Sequence, residues 1–136
     1  MRYRTATAAD RDALVDLWQA AGLLFHVEDV THELTSVLAR DPELVILAED
    51  GSGLVGSVFG AYDGRRAWLN RLATRPDRRG EGVGRELVSR LEDALRAKGC
   101  LKLNLLVRND NAEAMAFYRG LGYASNDVTF LGKRLR

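Results

Sequence analysis

A chain of 136 residues has the size of one domain, and its 46% hydrophobic and 29% charged residues describe a globular protein, not a disordered one. A net charge of +1 supplies no global pull toward nucleic acid or an acidic membrane, and the single cysteine, Cys100, excludes an intramolecular disulfide or a zinc cluster. No apolar run approaches the ~20 residues that span a bilayer, and Met1-Arg2-Tyr3-Arg4-Thr5 is not followed by a signal-peptide core, so the expected compartment is the cytoplasm.

No repeat or Pro/Gly/Ser-rich linker interrupts the chain, so one domain over residues 1–136 is expected. Residues 3–5 read as a short strand. Thr7-Ala8-Ala9-Asp10 opens a helix in which Leu14, Leu17, Trp18 and Ala21 recur at helical spacing, and Gly22 ends it. A second helix over 31–40 turns Leu34, Val37 and Leu38 inward and stops at Asp41-Pro42. Strands follow over 44–48 and 54–62, joined by Gly51-Ser52-Gly53, and Asp63-Gly64 leads to a strand over 67–74.

The glycine-rich turn at 79–84 opens an amphipathic helix with Leu87, Val88, Leu91 and Leu95 on one face, and Gly99 closes it. Residues 101–107 alternate Leu101, Leu103 and Leu105 as a strand would. A helix over 111–120 ends before Gly122, and residues 123–124 and 128–135 read as closing strands. The order implies a mixed α/β sheet with helices on both faces.

Two segments carry chemistry. Arg65, Arg66, Arg71, Arg75, Arg78, Arg79 and Arg85 crowd a stretch whose only acids are Asp77 and Glu81. Such a cluster suits a polyanionic small ligand; an arginine-rich solvated surface is the alternative. Within it, Arg79-Gly80-Glu81-Gly82-Val83-Gly84 stands between a strand and a helix. The first N–H groups of a helix lack internal partners and lie at the positive end of its dipole, which suits phosphate. The glycines keep side chains off that backbone, and Arg79 and Arg85 offer charge-assisted bonds. A tight strand-to-helix connection is the plainer alternative. A dinucleotide loop fails at Arg85, where its third glycine belongs, and no Lys-Ser/Thr pair marks a triphosphate loop.

The second segment is Asn111-Ala112-Glu113-Ala114-Met115-Ala116-Phe117-Tyr118-Arg119-Gly120-Leu121-Gly122-Tyr123. Alone it is an amphipathic helix with a glycine stop. Together the two segments resemble the GCN5-related N-acetyltransferase (GNAT) superfamily. Arg79, Gly82 and Gly84 match its Gln/Arg-x-x-Gly-x-Gly/Ala signature. Asn111, Ala114, Phe117, Tyr118, Gly122 and Tyr123 match its second motif. Leu131-Gly132-Lys133-Arg134-Leu135 and Gly60-Ala61-Tyr62-Asp63-Gly64 look like a bacterial branch, the YpeA-type acetyltransferases.

The resemblance implies a mostly antiparallel sheet of six to seven strands, splayed between the fourth and fifth, with about four helices. It implies acetyl-coenzyme A as co-substrate, no metal, and direct attack by a primary amine (small molecule, peptide N-terminus or lysine) in a ternary complex. It assigns Leu72, Ala73 and Thr74 to the pantetheine arm and thioester. Arg79, Gly80, Glu81, Gly82, Val83, Gly84 and Arg85 form the pyrophosphate cradle, and Asn111, Phe117 and Tyr118 complete the coenzyme site. Implied partners are an acyl-coenzyme A and an amine, neither nucleic acid nor membrane, in a monomer or homodimer.

Tyr118 matches the family's residue beside the thioester sulfur. A thiol has a pKa near ~8.5 and a phenol near ~10, so full proton transfer is uphill by roughly 2 kcal/mol. Tyr118 is therefore expected mainly to stabilise developing charge on sulfur. Many relatives carry a glutamate as general base on the strand matching 67–74. Here that strand reads Ala-Trp-Leu-Asn-Arg-Leu-Ala-Thr, without a carboxylate. Glu28, Asp29, His26, Asp63 and a water ordered by Asn70 or a carbonyl are the candidates, and none is singled out. A non-catalytic acyl-coenzyme-A-binding regulatory module is the alternative function. Residues 23–29 match one wall of the acceptor site, with Trp18 and Trp68 as candidate lining; for Trp18 the alternative is the core.

Overall fold

Residues 45–74 hold most of the chain's continuous apolar sequence, and they form the centre of the sheet. A computed structural model describes residues 1–136. Five strands, Arg2–Thr5 (β1), Val45–Asp50 (β2), Gly53–Tyr62 (β3), Ala67–Thr74 (β4) and Leu103–Asn104 (β5), lie in the order β1-β2-β3-β4-β5. The first three pairings are antiparallel and β4–β5 is parallel. Four helices accompany them: Arg11–Ala20 (α1), Val30–Arg40 (α2), Val83–Ala97 (α3) and Ala112–Gly120 (α4). The segments Met1–Leu105 and Leu106–Arg136 are two compact units.

In the first unit, alternation along β3 sorts the helices. Ser57 and Phe59 face α1, where Leu14, Leu17 and Trp18 sit at helical spacing and join Val30 and Leu34 of α2 in one apolar cluster. Gly56 and Gly60 face α3 on the other side. A Cβ at Gly60 would run into the Leu91 side chain, and one at Gly56 would stand 3.0 Å from Val83 and Leu87 atoms. Glycine there lets α3 approach the sheet closely.

The sheet departs from expectation at its far end. It has five strands, not six to seven. The fifth is two residues long where 101–107 was expected, and Leu101 is exposed. Residues 123–124 and 128–135 alternate suitably but form no strand. A strand exists through ladder bonds to a neighbour, and these residues have none; Val128, Phe130, Leu131 and Leu135 stay exposed.

In the second unit, α4 begins where Asn111 accepts a hydrogen bond from the Ala114 N–H through Oδ1 at 3.0 Å, an N-cap. It ends with Gly122 at φ 96°, and the Tyr123 N–H returns to the Tyr118 carbonyl at 3.0 Å.

Candidate functional site

The glycine turn is open and helix-capping, as a cradle requires. Gly80 and Gly82 have φ of 84° and 82°, a left-handed region that other residues enter at a cost of roughly 1–2 kcal/mol. Nothing lies within 4 Å of where a Cβ would stand on either. The first α3 bond runs from the Glu86 N–H to the Gly82 carbonyl at 3.0 Å, so the N–H groups of Val83, Gly84 and Arg85 precede it without helical acceptors. Val83 itself is buried beneath Gly56.

The charge around the turn is less than the local sequence suggests, because acids arrive from elsewhere. Arg78 bonds Asp50 at 2.7 Å and Glu81 at 2.9 Å. Arg75 bonds Asp77 at 3.3 Å, and Arg71 bonds Glu33 at 2.8 Å. Arg79 and Arg85 are exposed and carry no acidic partner. Those two are the charges free to meet an anion.

Leading into the turn, β4 has one long ladder and one short one. It pairs with β3 from Ala67 to Thr74, but with β5 only at Ala67–Leu103 and Trp68–Asn104. From Leu69 onward its outer edge has no strand beside it. Within this stretch β3 loses register: Ser57 opposes Ala73 and Phe59 opposes Asn70, leaving Arg71 and Leu72 bulged opposite Val58. Arg71 has φ 54°, the chain's one non-glycine residue with positive φ. Ala73 turns into the α1 cluster, while Leu72 and Thr74 are half-buried.

A polar network missed by the sequence reading surrounds that bulge. The Trp18 indole N–H donates to Ser57 Oγ at 3.0 Å, and the Ser57 hydroxyl donates to the Arg71 carbonyl at 2.8 Å. Arg71 Nε and Nη2 donate to the two Glu33 oxygens at 2.9 and 2.8 Å, and Nη1 donates to the Leu24 carbonyl at 3.2 Å. The guanidinium lies 4.9 Å from the Trp18 ring centroid. Trp18 is fully buried, so it belongs to the core and does not line an open site. An arginine inside the strand was the only sequence signal for this network. Its partners are too distant along the chain for periodicity to pair them.

Trp68 and Asn70 are exposed and share the α1 side of β4. Asp63 accepts the Arg66 and Arg65 N–H groups at 2.8 and 2.7 Å, and these bonds hold its carboxyl below the usual carboxylate range. It is a turn-former and a poor base. His26 and Glu28 are well exposed, Nδ1 to Oε1 3.9 Å, and Asp29 stands at the start of α2.

In the second unit, Asn111 spends its carbonyl oxygen on the α4 cap and keeps its amide N–H groups. Phe117 and Tyr118 meet edge to face at 5.1 Å, and Tyr118 meets Tyr123 at 5.9 Å. Burial among these rings pushes the Tyr118 phenol up to about 12. It is a neutral donor at any physiological pH.

An open helix start flanked by two unpaired arginines, fed by a strand with a bare edge, suits an extended ligand that ends in a diphosphate. The acetyltransferase (GNAT) family profile matches residues 11–123. A protein of Yersinia enterocolitica named as an acetyltransferase is 41% identical over 99% of this chain and 96% of its own. One from Pectobacterium atrosepticum, named likewise, is 40% identical over the same shares. The structure of PaiA N-acetyltransferase from Thermoplasma acidophilum in complex with coenzyme A superposes with a TM-score of 0.83, covering 94% of this chain and 92% of that one at 20% identity. The chain belongs to the acetyltransferase (GNAT) family. It is an acyl-coenzyme-A-dependent N-acetyltransferase with acetyl-coenzyme A as co-substrate. No helix is long and apolar enough to cross a membrane.

Proposed function

We propose that residues 1–136 act as one N-acetyltransferase domain that moves an acetyl group from acetyl-coenzyme A to a primary amine by direct attack in a ternary complex. The observation that carries this reading is the bare β4 edge running from Leu69 toward an open, glycine-lined start of α3. The N–H groups of Val83, Gly84 and Arg85 and the side chains of Arg79 and Arg85 hold the diphosphate, while Gly80 and Gly82 leave it room. Glu81 contributes only main chain, since Arg78 takes its carboxylate. Main-chain groups of Leu72, Ala73 and Thr74 serve the pantetheine arm, with Asn111 and Phe117 as further coenzyme contacts.

The thioester supplies an activated acetyl group when the coenzyme is bound. Tyr118 holds a proton for the sulfur as a hydrogen-bond donor. Against a thiol near ~8.5, a phenol at about 12 makes full transfer uphill by roughly 5 kcal/mol, so charge stabilisation is its contribution. The amine reaches β4 from the α1 side, past Trp68 and Asn70. With no carboxylate on that strand, its proton leaves through water ordered by Asn70 or a main-chain carbonyl.

The test is thiol release from acetyl-coenzyme A with a panel of polyamines, aminoglycosides, N-terminal peptides and lysine peptides, beside a melting curve with the coenzyme. At a hundred times its Kd a ligand adds about 2.7 kcal/mol of stability. Stabilisation with no acceptor consumed supports the regulatory-module alternative. No stabilisation at millimolar coenzyme overturns the coenzyme site.

A further inference from the structure

We propose that Arg71 is a positioning residue that joins the acceptor wall to the coenzyme strand. Its main chain makes the β4 bulge, and its side chain pins the α1–α2 connection. The proposal rests on reading β4 as the coenzyme strand, and it explains features that reading leaves unused.

The first is backbone strain. A long, Cβ-bearing residue at φ 54° is uncommon and costs roughly 1 kcal/mol or more, so the surroundings must impose it. They do so through Ser57. Its fully buried hydroxyl receives the Trp18 N–H and donates to the Arg71 carbonyl, which turns that carbonyl back toward β3. The second is the choice of arginine. Nε and Nη2 meet both Glu33 oxygens while Nη1 meets the Leu24 carbonyl, and the planar group lies over Trp18 and 6.0 Å from Phe25. A lysine ammonium has neither the fork nor the flat face for these partners.

Side-chain exposures of 23% and 31% place the Arg71–Glu33 pair partly out of water, where a bidentate bond is stiffer than a surface pair. Parts of α1, the 21–29 connection and α2 therefore converge on the Arg71 side chain, while β3 holds its main chain. Residues 22–26 are otherwise held by the Gly22 and Leu23 N–H bonds back to α1 and by Leu23 and Phe25 packing on the core. The distance between that wall and Leu72–Thr74 is set by the guanidinium. Reacting groups displaced by about 1 Å lose on the order of a hundredfold in rate, so the two surfaces need a common fastening.

Hydrogen exchange on the full chain tests the proposal, with and without acetyl-coenzyme A as probe. Glu33→Gln removes the charge and keeps the shape. Arg71→Gly removes the side chain and accepts the backbone φ without strain. In each variant, exchange over residues 22–26 and 70–74 should accelerate together by about tenfold or more, while 80–85 is unchanged. Saturating acetyl-coenzyme A should slow both segments in the wild type but only 70–74 in Arg71→Gly, with the Kd within about threefold of wild type.

Acceleration of one segment alone, of neither, or of 80–85 to the same degree overturns the pin. So does a coenzyme effect on 22–26 that survives in Arg71→Gly. If the wild type shows no response to the coenzyme, the coenzyme site is what fails. The ligand-free comparison of Glu33→Gln with wild type still decides the pin.

Discussion

Arg78 Nη1 stands 2.7 Å from Asp50 Oδ2, and this pair fastens the residues before the glycine turn to the β2–β3 hairpin. The same guanidinium reaches Glu81 inside the glycine turn. Asp50 is held well below the usual carboxylate range, first by the Ser52 hydroxyl and N–H and then by Arg78. Arg78 thus ties the β2–β3 hairpin to the glycine turn and engages the Glu81 carboxylate. Arg78→Ala should weaken acetyl-coenzyme A binding by about three- to tenfold, because the turn must then be ordered by the ligand. Calorimetric titration of both proteins checks this, and equal affinities would show that the cradle holds its shape without Arg78.

Gly82→Ala separates two reasons for glycine. Alanine at φ 82° should cost roughly 1–2 kcal/mol of stability from backbone strain alone. No atom lies within 4 Å of the new methyl group, so no clash adds to this in the free protein. If a diphosphate fills that space, acetyl-coenzyme A affinity should fall by tenfold or more. Unfolding in urea and coenzyme titration together read the two effects. Lost stability with unchanged affinity would locate the diphosphate elsewhere.

The glycine turn was legible because left-handed backbone demands a residue without Cβ, and that demand is written locally. Strand β4 was legible to its bounds, since it alternates Ala67 and Leu69, which are buried, with exposed Trp68 and Asn70. What could not be read was pairing. Residues 128–135 alternate like a strand, but alternation describes a face and not a neighbour. Arg71, Arg75 and Arg78 looked like free positive charge until folding brought Glu33, Ser52 and Asp50 to them. Asn111 was assigned to the ligand, and half of its amide turns out to cap α4.

Acid should unfasten the β1 end of the sheet. Arg4 donates to both Asp10 oxygens at 2.8 and 2.9 Å and also reaches Glu49. The Arg4 bonds hold the Asp10 carboxyl below its ordinary value. A carboxylate with a depressed folded pKa contributes stability in full above its unfolded value, near ~3.9, and loses it as pH falls through the folded one. Wild type should exceed Arg4→Met by about 1 kcal/mol at pH 7 in urea unfolding, and the gap should close on acidification below ~3.9. A gap that persists once Asp10 is protonated would assign the effect to packing of the arginine stem.

If Tyr118 is the proposed donor to sulfur, Tyr118→Phe should lower kcat by about ten- to a hundredfold while the Kd for acetyl-coenzyme A stays within about twofold, because the lost hydroxyl would act on charge that develops during transfer. The pH profile makes the sharper test. With its pKa raised by burial to about 12, the phenol stays protonated through the accessible range, so its donor form is present at every pH below that value. Any loss of activity between pH 8 and ~10.5 must therefore arise from a group other than Tyr118. Wild type and Tyr118→Phe should give profiles of the same shape at different heights. A wild-type limb near pH 10 that vanishes in the phenylalanine variant would mean that Tyr118 ionises where solvent reaches it, and a hydroxyl in that state could not serve as a neutral donor to sulfur.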